Sequence, residues 1–236
     1  MDVGPSAPPM MEIAAAALTA SVNINFAEGS QTKASTGIAG SYMQNSVVSE
    51  NNAYLDDAII TVSKTTSSEE ALKIEAVNEE NIINISVGGS GTPVGNEVLG
   101  QVSNNILTSK TQAYINDSTV KNDDGTTVKA YDDQDVLLVS GAVTVSGSYV
   151  GVGAAVGVQQ ITADTSAFVK DSTFNGVSEN STKGGDINVV AEEKTDAFAI
   201  VATGSFGGSN AFASADSSGT NIVNTETKAY IENAVN

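Results

Sequence analysis

The chain of 236 residues contains no cysteine, no histidine and no tryptophan, and its ten basic residues are all lysines. Without cysteine it has no disulfides, no zinc–thiolate sites and no thiol nucleophiles. This absence suits either a cytosolic protein or one that is exported unfolded. Twenty-eight acidic residues against the lysines give a formal charge of −18. Because nucleic acids and anionic membranes bind clustered basic residues, neither is an expected partner.

What the chain does contain is a short segment that occurs four times. The copies are NNAYLDDAII from residue 51, TQAYINDSTV from 111, TSAFVKDSTF from 165 and TKAYIENAVN from 227. They are spaced 60, 54 and 62 residues apart, counted between the Ala residues that occur at the same place in each copy. Each copy has Ala, then an aromatic residue, then an aliphatic residue. The structural repeat positions are therefore Ala53, Tyr54, Leu55, Ala113, Tyr114, Ile115, Ala167, Phe168, Val169, Ala229, Tyr230 and Ile231.

The order of these three residues predicts how the repeats stack. In a strand, the Ala and the aliphatic residue lie on one face and the aromatic residue on the other. Stacked copies would then place like residues upon like. The polar residue that follows each copy predicts a turn, because its short side chain bonds nearby backbone groups. These turn residues are Asp57, Asp117, Asp171 and Asn233.

The sequence thus predicts an all-β parallel β-helix built from four degenerate repeats of about 54–62 residues. At about 20 to 25 residues per coil, each repeat would hold two or three coils. A β-sandwich array is the alternative, and the small number of prolines and aromatics disfavours it.

Other segments are also expected to be strands. From Val150, alternate positions carry Val or Ala, with Gly and Ala between them, and we expect Val, Ile and Ala to fill the interior. The Ala-rich segment from Glu12 aligns without a gap on the segment from Asn188, so we predict a strand despite its helix propensity. Ala76 is matched with Ala191, and Gly88 with Gly204, with small changes of length.

We divide the chain into a leader and one repeat segment. Residues 1–11 contain three prolines and no secretion signal, which indicates a flexible leader or linker. Residues 12–236 form a single continuous β-helix segment. Since the sequence stops within a repeat, we expect it to be part of a longer protein. The uncharged segment 136–163 is long enough for a membrane helix, but charges and glycines in equivalent parts of the repeats argue against a stable membrane span.

Candidate chemistry is sparse, and we predict neither an enzyme nor a cofactor. Paired carboxylates in NDDG (122–125) and DDQD (132–135) leave a carbohydrate-active enzyme as an alternative. The same acids are weak calcium candidates, since Ca²⁺ prefers six to eight oxygen ligands. The aromatic positions could form a stacking platform, but with two or three coils between copies we expect them not to touch and to serve packing. The calcium candidates are Asp123, Asp124, Asp132, Asp133 and Asp135.

The recurrent strand resembles the repeat region of leukotoxin-type filamentous adhesins, which belong with filamentous haemagglutinin-like exoproteins. The clearest carriers are TQAYINDSTV, TSAFVKDSTF and TKAYIENAVN, whereas NNAYLDDAII has Asn where Thr is usual. Autotransporter passengers, which are also secreted by a type V route, carry similar repeats.

This resemblance implies a right-handed coil and a secreted or cell-surface virulence protein. Such a protein leaves through an outer-membrane β-barrel transporter by type V secretion and binds, and in some cases kills, host cells. The expected function is a β-helical scaffold that displays loops, here 121–135 and 175–186, to a host-cell receptor. A passive spacer is a further alternative.

Overall fold

The computed structural model describes residues 10–22, 35–62, 72–147, 149–177, 183–208 and 212–236, and these form strands without any helix. In the long strands of the inner coils, inward and outward side chains alternate, as the period-two pattern of the sequence requires. The strands are β1 (Met10–Val22), β2 (Ser35–Asp56), β3 (Ile59–Thr61), β4 (Leu72–Thr92), β5 (Gly95–Asn116), β6 (Thr119–Lys121), β7 (Thr126–Ser146), β8 (Val150–Lys170), β9 (Thr173–Asn175), β10 (Ile187–Gly207) and β11 (Phe212–Glu232).

The chain folds as a right-handed parallel β-helix in which one repeat makes one coil. Sheet A has the order β1-β4-β7-β10, sheet B the order β11-β8-β5-β2, and the small sheet C the order β3-β6-β9. All neighbouring strands are parallel. The prediction of two or three coils per repeat was wrong. Two strands of 21 or 22 residues use most of each repeat, so the coil is long and flattened.

The repeat positions stack in unbroken register. Ala53 lies beside Ala113, and Ala113 beside Ala167, which lies beside Ala229. Ala76 and Ala191 share a column through Ala130, as predicted.

Two of the predicted alignments were displaced. Gly204 falls in the column of Gly89 rather than Gly88, because the pairing has no change of length. The Ala-rich segment is a strand, as expected, but Glu12 shares a column with Asp196 instead of Asn188.

The interior is apolar at the end of the coil where sheet C lies, which we call the corner end. Here three sheets enclose enough space for large side chains. Ile115, Val120, Val128 and Phe174 are buried there together with the stacked alanines. A second, smaller cluster around Leu107 and Ile161 follows towards the middle of the coil.

At the opposite end, which we call the arch end, residues 93–94 join β4 directly to β5 and the two sheets lie close together. The space is shared unequally between neighbouring strands: Leu99 of β5 is fully buried, whereas a Cβ added at Gly157 of β8 would lie 2.6 Å from Leu138 Cδ2. The interior therefore holds Gly151, Gly153 and Ala155, while the alternating valines of β8 lie on the outside. The expectation that valines fill this part of the interior was wrong, because the narrow gap selects residues by volume.

Much of the remaining interior at the arch end is polar. Ser86 donates to Gln101 across the gap at 2.8 Å, and Asn84 to Asn105 at 2.9 Å. The uncharged segment 136–163 makes the end of β7 and the start of β8. In the described ranges, no helix has the length and apolarity needed to cross a membrane.

Candidate functional site

The aromatic repeat positions form a continuous stack on the outer face of sheet B. Ring centroids are 5.1 Å apart between Tyr54 and Tyr114, 4.8 Å between Tyr114 and Phe168, and 5.1 Å between Phe168 and Tyr230. The rings are within 8° of parallel. The expectation that they would not touch was wrong, because consecutive copies lie in adjacent coils.

This geometry leaves little room for a ligand on the ring faces. Each inner ring is covered on both faces by its neighbours, so only ring edges and the Tyr hydroxyls face outward. A sugar or base stacks on a ring face rather than an edge. This stack of four rings, which we call the aromatic ladder, therefore serves packing between coils.

The four predicted turn residues build the corner beside this ladder. Asp57, Asp117, Asp171 and Asn233 all have φ between 45° and 51°, the left-handed region that Asp and Asn tolerate. After Asp117, the hydroxyl of Ser118 donates to Asn116 O at 2.6 Å and accepts from the Ala58 amide of the preceding coil at 3.1 Å. These contacts tie each corner to the next.

The connections that follow sheet C vary in length from coil to coil. They span residues 62–71, 122–125 and 176–186, whereas the corner between sheets B and C always spans two residues. The Val177 amide donates to Asp123 Oδ1 at 2.9 Å, and the Gly185 amide donates to Asn122 O at 2.8 Å. The described ends of the later connection thus contact the earlier one. Of the predicted loop 121–135, only residues 122–125 are a loop, since Thr126 begins β7.

The five calcium candidates do not converge. Asp123 and Asp124 lie in the loop, and Asp132 points into the interior, where it is fully buried. Asp133 and Asp135 lie on the outer face of sheet A. The described part of the chain contains no group of three or more acidic side chains that could hold a metal ion.

Charged side chains cover the outer face of sheet A near the corner end, a surface that we call the charged face. Lys194 lies at its centre, with Nζ 3.0 Å from Asp133, 3.2 Å from Asp196 and 3.9 Å from Asp135. Hydrogen bonds to Asp133 and then Asp196 raise the pKa of Lys194, so it is a cation rather than a base. The charges of this face are Lys73, Glu75, Glu79, Lys129, Asp133, Asp135, Glu192, Lys194 and Asp196.

A groove of about 480 Å³ borders the charged face. Asp135 and Asp196 line one side, and Leu137 and Phe198 line the other. Phe198 is 61% exposed, so its ring is available to a ligand. The groove combines carboxylates with apolar carbon, which suits a sugar or an amphipathic cation.

Three carboxyl groups lie inside the coil, those of Glu80, Glu97 and Asp132. Asp132 accepts hydrogen bonds from Asn78 at 3.0 Å, from Ser109 at 2.7 Å and from Gln134 at 3.2 Å. Glu80 is 3% exposed, and within the described residues its oxygens have no partner at hydrogen-bonding geometry. Burial raises the pKa of Glu80, an effect that Ser49 and Asn78 nearby oppose.

Sequence reasoning missed Lys194 and the groove. The signal was present, since Lys194 and Asp133 are 61 residues apart, which is one coil. With two or three coils assumed per repeat, nothing placed them together.

A scan against protein-family models and searches of curated proteins and of solved structures found no match.

Proposed function

We propose that this chain is a β-helical scaffold within a large secreted or cell-surface bacterial protein, and that it displays loops to a host-cell receptor. Adhesion or toxicity towards host cells is the proposed role of the whole protein. Its export would use an outer-membrane transporter of the type V class. The resemblance of the repeated strand to filamentous adhesins motivates the cellular part of this proposal.

One observation supports the display function: the long strands of each coil keep nearly the same length, whereas the connections after sheet C do not. Strand register is unbroken through all three sheets, whereas the connections after sheet C span ten, four and eleven residues, at 62–71, 122–125 and 176–186. These connections follow the same short sheet, so they lie at the same corner of successive coils. In repeat proteins, insertions of this kind gather on one face, which is often the binding face.

The test is saturable binding of the fluorescently labelled chain to white cells, red cells and epithelial cells, measured by flow cytometry. Unlabelled chain serves as the competitor. The informative variant replaces residues 176–186 with the sequence of 122–125, the short connection that another coil already accepts. We expect competable binding to one cell type, and a loss of at least about tenfold in affinity for the variant.

The matched control is Val156→Lys, a change on the outer face of sheet B far from the corner. It should leave cell binding unchanged. Absence of binding by the wild-type chain at micromolar concentration would contradict receptor recognition and leave a spacer.

The groove supports a second candidate, a carbohydrate-active enzyme. Glycosidases use a pair of carboxyl groups, and Asp135 and Asp196, which are neighbours in one column of sheet A, lie in the groove beside the exposed ring of Phe198. Three carboxylates surround Lys194, so the groove would favour neutral rather than acidic polysaccharides.

The enzyme hypothesis is tested by release of reducing ends from a panel of neutral polysaccharides. Asp135→Asn and Asp196→Asn should each abolish release, while Asp216→Asn on β11 should not. If the wild-type chain releases no reducing ends, the groove has no glycosidase function.

A further inference from the structure

The outer face of sheet A changes character abruptly towards the arch end. Beyond the charged face, the outward positions of three neighbouring strands are all apolar over five consecutive columns. Phe198 and Phe206 are each 61% exposed, and Val143 and Val145 are 42% and 49% exposed. We call this surface the apolar face; it comprises Ile83, Ile85, Val87, Gly89, Gly91, Leu137, Val139, Gly141, Val143, Val145, Phe198, Ile200, Ala202, Gly204 and Phe206.

The apolar face is large enough to form a specific interface. The backbone of β1 adds a fourth strand to these columns, with Ala14 beside Ile83 and Val22 beside Gly91. Four strands about 4.8 Å apart and five columns about 6.7 Å apart cover roughly 600 Å². Two such faces in contact would bury about 1,200 Å², within the range of specific protein interfaces. Monomeric proteins rarely leave apolar patches of this size open.

The relief of the apolar face fits a second sheet rather than a fluid surface. Glycines make pits beside projecting side chains: Gly141 lies between Val139 and Val143 along β7, and Gly89 and Gly204 flank Val143 in the neighbouring strands. A Cβ added at Gly89 would meet nothing within 4 Å, so this pit is open. Sheets that pack face to face interdigitate such projections and pits at a spacing of about 10 Å.

We propose that the apolar face docks against the apolar face of a second copy of this chain. Because each copy carries both the projecting valines and the glycine pits, one surface is complementary to itself, as a two-fold interface requires. A lipid surface is the competing occupant. A fluid lipid surface has no fixed projections to enter the glycine pits, so it matches this relief less well than a second sheet does.

The charged face determines the orientation of the pair. It holds six carboxylates against three lysines, so two charged faces in direct contact would repel. A two-fold axis running across the strands, through the centre of the apolar face, avoids this contact. The apolar faces then overlap completely, and the charged faces extend beyond the contact in opposite directions.

Sedimentation equilibrium from about 1 to 100 µM tests the docking with four chains. The wild-type chain should dimerise, and Val143→Lys should raise the dissociation constant by about 100-fold, since each interface would bury two unpaired ammonium groups. Gly89→Leu keeps the surface apolar but fills a pit, and should weaken the dimer by about tenfold or more. Val156→Lys, a valine of matched exposure on the outer face of sheet B, should change nothing.

Several outcomes would overturn the proposal. These are a wild-type chain that is monomeric at 100 µM, a dimer that Val156→Lys weakens as much as Val143→Lys, or a Gly89→Leu chain that dimerises normally. Flotation with phosphatidylcholine vesicles provides the lipid arm: a monomer that binds vesicles through Val143 would assign the face to lipid instead. Circular dichroism of each variant verifies that the fold is retained.

The orientation has its own measurement. The chain has no cysteine, so a single spin label at Glu79→Cys reports one distance in the dimer. Eight residues separate Glu79 from Val87 at the centre of the apolar face, which places the two labels about 50 Å apart in the proposed orientation. Labels within about 20 Å would mean that the charged faces are in contact, contrary to the proposal.

Discussion

The aromatic ladder permits a prediction in which the expected loss of stability depends on position in the stack. Phe168 stacks on two rings, Tyr114 at 4.8 Å and Tyr230 at 5.1 Å, whereas Tyr54 stacks on one ring of the described residues, that of Tyr114. Replacing each of them by leucine keeps an apolar side chain of comparable size but removes the ring. The two substitutions therefore differ mainly in the number of stacked pairs that they remove.

A stacked aromatic pair contributes about 0.5–1.5 kcal/mol beyond the burial of its surface. Phe168→Leu removes two pairs and should lower the free energy of unfolding by about 1–3 kcal/mol, while Tyr54→Leu removes one pair and should cost about half as much. Phe168→Tyr restores the residue type of the other three coils and should cost close to nothing. Urea unfolding followed by circular dichroism measures all three, provided that the denaturant dependence is the same for each.

A double-mutant cycle between Tyr114 and Phe168 isolates the contact itself. We expect a coupling energy of about 0.5–1.5 kcal/mol. A coupling of zero, or equal losses for Phe168→Leu and Tyr54→Leu, would refute the ladder as a stabilising element. The exposed rings would then need another explanation, and a binding platform would again be the leading one.

Five further substitutions test the corner, the buried carboxyl group of Glu80 and the narrow interior. Asp117→Val should cost about 1–3 kcal/mol in urea unfolding, because a β-branched residue is strained at φ near 45°, whereas Asp117→Asn should be neutral. Burial raises the pKa of Glu80, so its protonated form stabilises the folded state at low pH, and this contribution is lost as pH rises through the folded pKa. Glu80→Gln should therefore raise the melting temperature at about pH 8 and lose that advantage towards pH 4; a pH-independent difference would contradict this. Gly157→Ala should cost about 1–3 kcal/mol through its contact with Leu138, while Gly100→Ala, with nothing within 4 Å, should change stability by less than about 0.5 kcal/mol.

The sequence was sufficient to predict the stacked strand and its corner. Four copies of one motif placed Ala and the aliphatic residue on one face and the aromatic residue on the other, and the structure buries Ala113 and Ile115 completely. The turn residues were predicted because the short side chains of Asp and Asn bond nearby backbone groups, and the structure places all four at positive φ. Both features are set by residues close together in the sequence, so a repeated motif is enough to predict them.

The size of the coil could not be obtained in this way. A period of 54–62 residues is compatible with one long coil or several short ones, because both return each copy to the same column. The choice decides whether consecutive aromatic rings touch and whether Lys194 meets Asp133. The groove beside Asp135 was missed for the same reason.

The inner face of β8 was mispredicted because alternation gives two faces without saying which is inside. Valine on one face and glycine on the other would ordinarily bury valine, since burial of apolar surface favours folding. Near the arch, however, the distance between the sheets sets an upper limit on side-chain volume, and Leu138 and Val201 already occupy the space opposite Gly157. Side-chain volume then outweighs hydrophobicity.

Stacking of whole coils also explains why so few columns of the repeat are recognisable. In β5, β7 and β8, backbone hydrogen bonds to the coils on both sides hold the strand in place over its whole length. The identity of a side chain is then restricted at three kinds of position. These are the narrow gap between sheets A and B, the stacked aromatic rings, and the corner residues with positive φ. Outward positions elsewhere, and the connections after sheet C, can vary without disturbing this ladder. Because recognition requires residues that differ from coil to coil, the determinants of specificity should lie in these variable positions rather than in the recurrent motif.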